Sequence, residues 1–279
     1  MLRLKTPGGH LTSSQLKLIS KIAAEEGRDF ADLTARQEIQ LPGISSDRLP
    51  DVLRLLEEAA LSAQDSTIDV PPTESGRDPL GVLEQEQADL FTIGIPVLAG
   101  RLKTAQMRKA ADVAERYGDA SLRQTTRQNL LIPNIPKERV VQVMEGLDAV
   151  GLRVSASVFH RGLVCCSDEK TKAVDLVDYL EKQVPLEEPL SIHLSDSACA
   201  CVHSPVAQIG LEGVETYEVK VGGFTARGLP AGEIKYRLEK LLVRYKQKRQ
   251  PQESFSDFCR RIGDEELARL LSDDPLKPS

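Results

Sequence analysis

The chain has 279 residues, of which 41% are hydrophobic and 28% charged, so it is long enough for two or three small domains, each with its own core. Its formal net charge of −6 argues against a general nucleic-acid-binding protein, which would carry a basic face. No apolar run reaches the roughly 18 residues of a membrane span, and the N-terminal MLRLKTPGGH lacks the apolar core of a secretory signal. We therefore expect a cytoplasmic protein.

In the first part of the chain we predict a strand (LRLKT), a Pro-Gly-Gly turn, a helix, a second strand (ADLTARQEIQL) and a second helix. Thr12 or Ser13 can cap the first helix, Gly27 ends it, and Pro50 starts the second one. The order of strands and helices is the α+β pattern of a small sheet covered by helices.

The same stretch is the first copy of an internal repeat. The segment from Gly9 to Leu61 recurs without a gap from Gly100 to Leu152, at a constant offset of 91 positions. A gap-free match of this length predicts two copies of one folded unit. The centres of the copies, LTARQEIQLPGI and QTTRQNLLIPNI, each place an Arg-Gln pair in a strand-like run. A two-fold arrangement would direct both pairs towards one cleft.

The repeat defines the domain boundaries that we predict. The first copy occupies residues 1–63, a polar linker with Pro-Pro and Ser-Gly breaks occupies 64–90, and the second copy occupies 91–152. Residues 153–279 form a third domain, with strands predicted at LRVSASVF, LSIHLS and TYEVKVGG. A helix is predicted at TKAVDLVDYLEKQ, and two further helices end the chain.

The third domain contains all five cysteines. Cys165 and Cys166 are adjacent, Cys199 and Cys201 form a CxC pair, and Cys259 lies alone in a C-terminal helix as a packing residue. Without a secretion signal, clustered cysteines favour metal or redox chemistry over disulfides. Each cluster follows a predicted strand, and loops at strand ends are common places for functional sites.

Several motifs, in order along the chain, resemble the sulfite and nitrite reductase family, whose members carry sirohaem coupled to a 4Fe–4S cluster. They are the PGG turn, the two T-x-R-Q runs, IHLS…C…VAQIGLEG, YEVKVGG and SFSDFCRRIG. The resemblance implies two ferredoxin-like repeats in a pseudo-two-fold arrangement and a C-terminal α/β domain that bears the cysteines. It also implies an oxidoreductase that reduces a small oxyanion, sulfite or nitrite, with electrons from a partner protein.

The chain departs from the family pattern at two places. The family has a middle domain between its repeats, where this chain has the linker, so a second subunit or a homo-oligomer stays open as its replacement. The family holds its cluster with C-x5-C and C-x3-C, and the last cysteine bridges to the sirohaem iron. The alignment puts Cys201 on the bridging position and Ser197 on the third ligand, with Cys199 as an extra thiol. The metal ligands that the resemblance implies are Cys165, Cys166, Cys199 and Cys201.

Sirohaem is a polycarboxylate, so its pocket must concentrate guanidinium and ammonium groups. The matched Arg36 and Arg127 are the predicted catalytic and cofactor-holding residues. The alternative for these two, and for Arg3 and Arg101, is that they form structural salt bridges between the copies. Arg101 and Lys103 would add charge at the pocket. The remaining predicted cofactor-binding residues are Arg3, Lys5, Gln37, Gln128, Asn129 and Cys201.

Three alternatives stay open for the cysteines. Successive side chains on a strand point to opposite faces, so adjacent cysteines can both bind one cluster only with a contorted backbone, whereas the CxC pair can face one way. The same set could bind zinc, with His203 or His193 as a substitute ligand, or remain as unliganded thiols. His160, just before the cysteine loop, either faces the pocket or is structural.

The function has corresponding alternatives. One is a non-catalytic relative that binds a tetrapyrrole or another polyanion through the Arg-Gln strands, and another is a cluster- or metal-binding accessory protein without haem. The sequence has no GxGxxG after a strand and no Walker A motif. Electrons are therefore expected from a partner protein rather than from a bound nicotinamide.

Overall fold

The computed structural model describes residues 1–61, 78–166, 170–188, 190–196 and 207–272. The chain forms two compact units, Met1–Ala156 and Ser157–Ser279. Among the described residues, no helix has the length and apolar character needed to cross a membrane.

The first unit contains both copies of the repeat, with the same elements in the same order. The first copy contains β1 (Leu2–Lys5), β2 (His10–Thr12), α1 (Ser13–Glu25), β3 (Phe30–Leu33), β4 (Glu38–Leu41) and α2 (Leu49–Glu58). An additional strand follows, β5 (Gly81–Glu84). The second copy contains β6 (Leu90–Ile95), β7 (Arg101–Lys103), α3 (Thr104–Tyr117), β8 (Ser121–Gln124), β9 (Leu130–Pro136) and α4 (Val140–Asp148).

The copies exchange one strand each. The first sheet has the order β1-β4-β3-β7 and the second β2-β8-β9-β6-β5, so β7 completes the sheet of the first copy and β2 that of the second. Both exchanged strands pair antiparallel with their new neighbours. One hydrophobic core therefore contains residues of both copies, among them Ile19, Leu33, Met107 and Leu122. The α+β fold with paired repeats is confirmed.

The structure differs from the sequence-based expectation at the Arg-Gln pairs. Each pair lies in a hairpin loop between two strands, not inside one continuous strand. Gln37 and Gln128 have φ values of 58° and 64°, in the left-handed region that a strand cannot contain. The error has a physical cause: apolar residues occupy every second position from Ala31 to Leu41 except Gln37, so the sequence pattern of a strand continues through the loop.

The second unit is a sheet with helices. It contains α5 (Val158–Gly162), β10 (Leu163–Cys165), α6 (Lys170–Gln183), β11 (Ile192–Ser195), β12 (Ile209–Gly213), β13 (Thr216–Val221), β14 (Phe224–Pro230), α7 (Ile234–Lys248) and α8 (Phe255–Ser272). The sheet has the order β10-β11-β12-β13-β14. The pairs β10–β11 and β11–β12 are parallel, and the other two pairs are antiparallel.

One predicted element of the second unit is wrong. The run LRVSASVF was expected as a strand, but it ends in the short helix α5. The side-chain oxygen of Ser157 accepts the backbone N–H of His160 at 3.2 Å, and this N-terminal cap favours a helix over a strand. The strand that leads to the cysteines is β10, which begins at Leu163.

Candidate functional site

The first Arg-Gln loop, residues 34–38, is held by its threonine. The hydroxyl oxygen of Thr34 accepts the backbone N–H groups of Arg36 at 3.3 Å and Glu38 at 3.1 Å. The backbone N–H of Thr34 donates to the carbonyl of Glu38 at 2.9 Å, and that of Gln37 donates to the carbonyl of Thr34 at 3.1 Å. These bonds fix the loop backbone without using the arginine side chain.

The second Arg-Gln loop, residues 125–129, repeats this geometry. The hydroxyl oxygen of Thr125 accepts the backbone N–H groups of Arg127 and Asn129, both at 3.2 Å. The backbone N–H of Thr125 donates to the carbonyl of Asn129 at 2.9 Å, and that of Gln128 donates to the carbonyl of Thr125 at 3.1 Å. The matched sequence therefore encodes a matched loop conformation.

Two glycines bring each loop against the other copy. Gly9 has a φ of 75°, and a Cβ there would collide with the carbonyl oxygen of Gln124. Gly100 has a φ of 71°, and a Cβ there would lie 2.6 Å from the carbonyl oxygen of Leu33 and 3.0 Å from the side chain of Gln128. Only glycine combines the left-handed conformation with this approach of two backbones.

Amide side chains connect the first loop to the second copy. The Nε2 of Gln37 donates to the carbonyl of Gln124 at 2.9 Å. In return, the Nε2 of Gln124 donates to the carbonyls of Thr34 at 2.8 Å and Glu38 at 3.2 Å. The structure thus joins the first loop to the residue that immediately precedes the second. Sequence reasoning missed Gln124, although its match in the first copy, Leu33, marks it as a polar residue at an apolar strand position.

The two loop arginines differ in burial. Arg36 is exposed and Arg127 is half-buried, and neither forms an ion pair with a carboxylate of the described residues. The Nε of Arg127 is buried without a hydrogen-bond partner within the described ranges. The Oε1 atoms of Gln37 and Gln124 are buried without a donor there. Because an unmet buried polar group is costly, each of these atoms needs a partner beyond the described residues.

Asn129 and Asp78 further anchor the second loop. The Oδ1 of Asn129 accepts the backbone N–H of Val97 at 2.8 Å, and its Nδ2 donates to the carboxylate of Asp78 at 2.5 Å. The hydroxyl of Thr125 donates to the same carboxylate oxygen at 2.7 Å. Asn129 therefore positions the loop backbone, and Gln128 beside it is buried.

The other cationic residues of the first unit have different roles. Arg101 makes a two-pronged ion pair with Asp32, at 2.9 and 3.0 Å, and stacks 3.8 Å from the ring centre of Phe30. It is a structural bridge between the copies, the role that the sequence left open as the alternative. Arg3 is exposed and Lys5 half-buried, both on β1 at the edge of the first sheet.

The second unit brings Cys165 and Cys166 to one edge of its sheet. Cys165 is the buried last residue of β10, and the N–H of Cys166 donates to the carbonyl of Leu194 at 2.8 Å. Because β10 and β11 are parallel, both end at this edge. The residues that follow β11 include Ser197, Cys199, Cys201 and His203, which lie outside the described residues.

Cys259, His193 and His160 are placed differently from Cys165 and Cys166. Cys259 is fully buried, and burial raises the pKa of its thiol to about 12, so it stays uncharged as a packing residue. His193 is buried on the face of β11 opposite Leu194, the Cα partner of Cys165. The ring of His160 contacts Asp178 at 3.0 Å and Glu181 at 3.6 Å, so it connects α5 to α6.

A cavity of about 220 Å³ lies beside the end of β11. Leu194 lines it together with Lys172 and Asp175, from the first turns of α6, and Lys235, from the first turn of α7. Ligands of α/β sheets bind at the carboxyl ends of parallel strands, where helix N-termini favour negative charge. The edge that carries Cys165 therefore also has space and positive charge.

Comparison with known proteins gives a consistent result for both copies. A nitrite/sulfite reductase ferredoxin-like half domain matches residues 1–59 and again residues 83–150. Similar proteins include the chloroplastic ferredoxin–nitrite reductase of Zea mays, 32% identical over 53% of this chain and 30% of that protein. Sulfite reductase [ferredoxin] 1 of Mycolicibacterium paratuberculosis is 25% identical over 86% of this chain and 50% of that protein.

The chain therefore contains two copies of the nitrite/sulfite reductase ferredoxin-like half domain. Its fold agrees with that of the NirA protein of Mycobacterium tuberculosis, with a TM-score of 0.84 over 95% of this chain and 84% of that one at 17% identity. The chain spans half or less of the length of the two curated relatives above.

Proposed function

We propose that this chain belongs to the sulfite and nitrite reductase family and is a sirohaem and iron–sulfur oxidoreductase that reduces a small oxyanion. The proposal takes a ferredoxin as electron donor, because the names of the maize and mycolicibacterial relatives include one. The observation that carries it is the junction of two symmetry-matched Arg-Gln loops, at which the buried Nε of Arg127 has no acceptor among the described residues.

The loop residues fit a polycarboxylate. Arg36 and Arg127 are the matched guanidinium groups whose charge is not neutralised by an ion pair within the described ranges, and guanidinium binds carboxylate with two parallel hydrogen bonds. The backbone of each loop is held by threonine, so each arginine is positioned without losing its donors. Arg3 and Lys5 would add positive charge, and Gln37, Gln128 and Asn129 would orient the loops.

The cysteine edge fits a cluster less completely. Cys165 and Cys166 would be the first ligands and Cys199 and Cys201 the others, with Cys201 at the position of the family's last ligand. When bound, the cluster and sirohaem supply the path for electrons and the iron that holds the oxyanion. The described residues contribute Cys165 and Cys166 at one sheet edge of the second unit and the guanidinium groups of Arg36 and Arg127 in the first unit.

The test is the colour of the protein. The chain is purified anaerobically from cells that make sirohaem, and its visible spectrum, iron and acid-labile sulfide are measured. We expect haem bands with stoichiometric iron and sulfide, and their loss in Arg36→Ala/Arg127→Ala. Arg123→Ala removes an exposed arginine just outside the second loop and is the matched control. Protein that stays colourless after cofactor reconstitution would contradict the proposal.

A second function is favoured by the cysteine pattern alone. Cys165 and Cys166 are adjacent, and Ser197 stands on a family ligand position, so a non-catalytic relative that binds a tetrapyrrole without a cluster is the alternative. The same spectrum separates the two, because haem bands without acid-labile sulfide would support the alternative. Sulfite- and nitrite-reduction assays on the coloured protein then decide the substrate.

A further inference from the structure

We propose that Gln124 is a positioning residue that orients the first Arg-Gln loop for ligand binding from the opposite copy. The ligand, a polycarboxylate tetrapyrrole, rests on the proposed function, but the positioning role does not. Gln124 ends β8, and its Nε2 spans two carbonyls of the first loop, those of Thr34 and Glu38.

The bonds from Gln124 are not required to satisfy the loop backbone. The carbonyl of Thr34 already accepts the N–H of Gln37 at 3.1 Å, and the carbonyl of Glu38 already accepts the N–H of Thr34 at 2.9 Å. An apolar residue at position 124 would therefore leave neither carbonyl without a bond. Leu33 occupies the equivalent position in the first copy, so the fold accepts leucine there.

Gln124 also carries a cost that leucine would not. Its side chain is fully buried, and its Oε1 has no donor among the described residues. Burying an amide with one unmet atom is unfavourable relative to an apolar residue of similar size. A residue that is dispensable for backbone bonding and unfavourable for burial, yet holds a loop, is typical of a functional position.

Each loop has its own support from outside, with different chemistry. The second loop is held by Asp78 through Thr125 and Asn129. The first loop has Glu38 at the position of Asn129, and a carboxylate cannot donate to a supporting Asp as an amide does. The amide of Gln124 supplies the outside support of the first loop through additional bonds to the carbonyls of Thr34 and Glu38, and so holds the loop that carries Arg36.

The experiment replaces Gln124 by apolar residues and measures the loop and the ligand separately. Gln124→Leu copies the residue of the first copy, and Gln124→Met keeps the unbranched shape. Amide hydrogen exchange is followed at Arg36, Gln37 and Glu38, with residues 127–129 as the internal control. Binding is measured by titration with uroporphyrin, an octacarboxylate porphyrin, and thermal unfolding monitors stability.

We expect both variants to exchange about tenfold faster at residues 36–38 and unchanged at residues 127–129, because one bridging side chain contributes roughly the free energy of a tenfold change. Uroporphyrin affinity should fall by about the same factor, with little change in unfolding temperature. Unchanged exchange in the first loop would overturn the proposal. Faster exchange without porphyrin binding to the unmodified chain would instead keep the positioning role and contradict the proposed ligand.

Discussion

The two exchanged strand pairs of the first unit, β3–β7 and β8–β2, share the same antiparallel backbone pairing but differ in their side chains. In the pair β3–β7, Asp32 lies opposite Arg101 and the two form a bidentate ion pair. In the equivalent pair β8–β2, Arg123 lies opposite His10, and no carboxylate stands at either position. The strand exchange therefore does not depend on the ion pair. The backbone pairing and the shared core hold the copies together. The ion pair adds an interaction to only one of the two strand pairs, β3–β7.

In addition to the loop arginines, both copies retain residues that the backbone demands. Gly9 and Gly100 have positive φ values and touch the opposite backbone, and Gln37 and Gln128 have positive φ values at the loop turn. At positions where the copies differ, such as Asp32 and its match Arg123, the side chains make different contacts in the two copies. Comparing the copies thus distinguishes the retained backbone positions from the positions where the side-chain contacts differ, and the predictions below test this distinction.

The largest effect is expected at the conserved glycines. In Gly9→Ala and Gly100→Ala, an added methyl group meets a backbone carbonyl at a positive φ, so we expect losses of about 3 kcal/mol or more in unfolding free energy. Gly9 should be the more sensitive, because the carbonyl of Gln124 lies nearer to its added Cβ than that of Leu33 lies to the Cβ at Gly100. Urea denaturation gives both values.

The control for the glycines is Gly146→Ala in α4. No atom lies within 4 Å of a Cβ placed there, and its φ is not positive, so helix propensity alone predicts a gain of about 0.5–1 kcal/mol. If Gly9→Ala cost no more than an ordinary surface change, the close approach of the two copies at this point would be wrong.

The next effect concerns the one-sided ion pair. Asp32→Asn removes a mostly buried carboxylate from Arg101, and we expect a loss of about 1–3 kcal/mol in unfolding free energy. A double-mutant cycle with Arg101→Met isolates the pair. Asp51→Asn, which removes an exposed partner of Arg48, should change stability by about 0.5 kcal/mol or less.

A further pair of substitutions moves the ion pair to the equivalent strand pair, β8–β2. His10→Arg with Arg123→Asp recreates the ion pair between β2 and β8, at positions that are exposed. An exposed pair contributes little, so we expect a gain of about 0.5 kcal/mol. A gain as large as the loss at Asp32 would mean that burial does not govern the strength of this interaction.

The repeat in the sequence predicted the pairing of elements but not the exchange of strands. β2 and β7 have three residues each, which is too short for an alternation pattern to be read. The sequence predicts strand interior at the first Arg-Gln loop because apolar residues alternate from Ala31 to Leu41, with Gln37 as the exception. The arginines could be selected from their match between copies, whereas Gln124 could be found only from a mismatch, whose meaning depends on the opposite copy.

Effects smaller than those at the glycines are also expected at the helices that follow the exchanged strands. In α1 the side-chain oxygen of Thr12 accepts the N–H of Gln15 at 3.1 Å, and the Oε1 of Gln15 accepts the N–H of Thr12 at 3.0 Å. In α3 the Oε1 of Gln106 accepts the N–H of Lys103 at 2.9 Å, but a lysine cannot accept in return. Thr12→Ala should therefore cost about 1 kcal/mol, and Lys103→Thr should gain about 0.5–1 kcal/mol.

Thermal and urea unfolding of the two single variants and of the double variant measure these changes. The caps lie on different helices and share no bonding partner, so their effects should add. The glutamines perform the same second task in both copies: Nε2 of Gln15 donates to the carbonyl of Ala59 at 3.0 Å, and that of Gln106 to the carbonyl of Val150 at 3.2 Å. Since that bond is kept in every variant, a failure of Lys103→Thr to stabilise would show that the copies differ in helix geometry and not only in the capping residue.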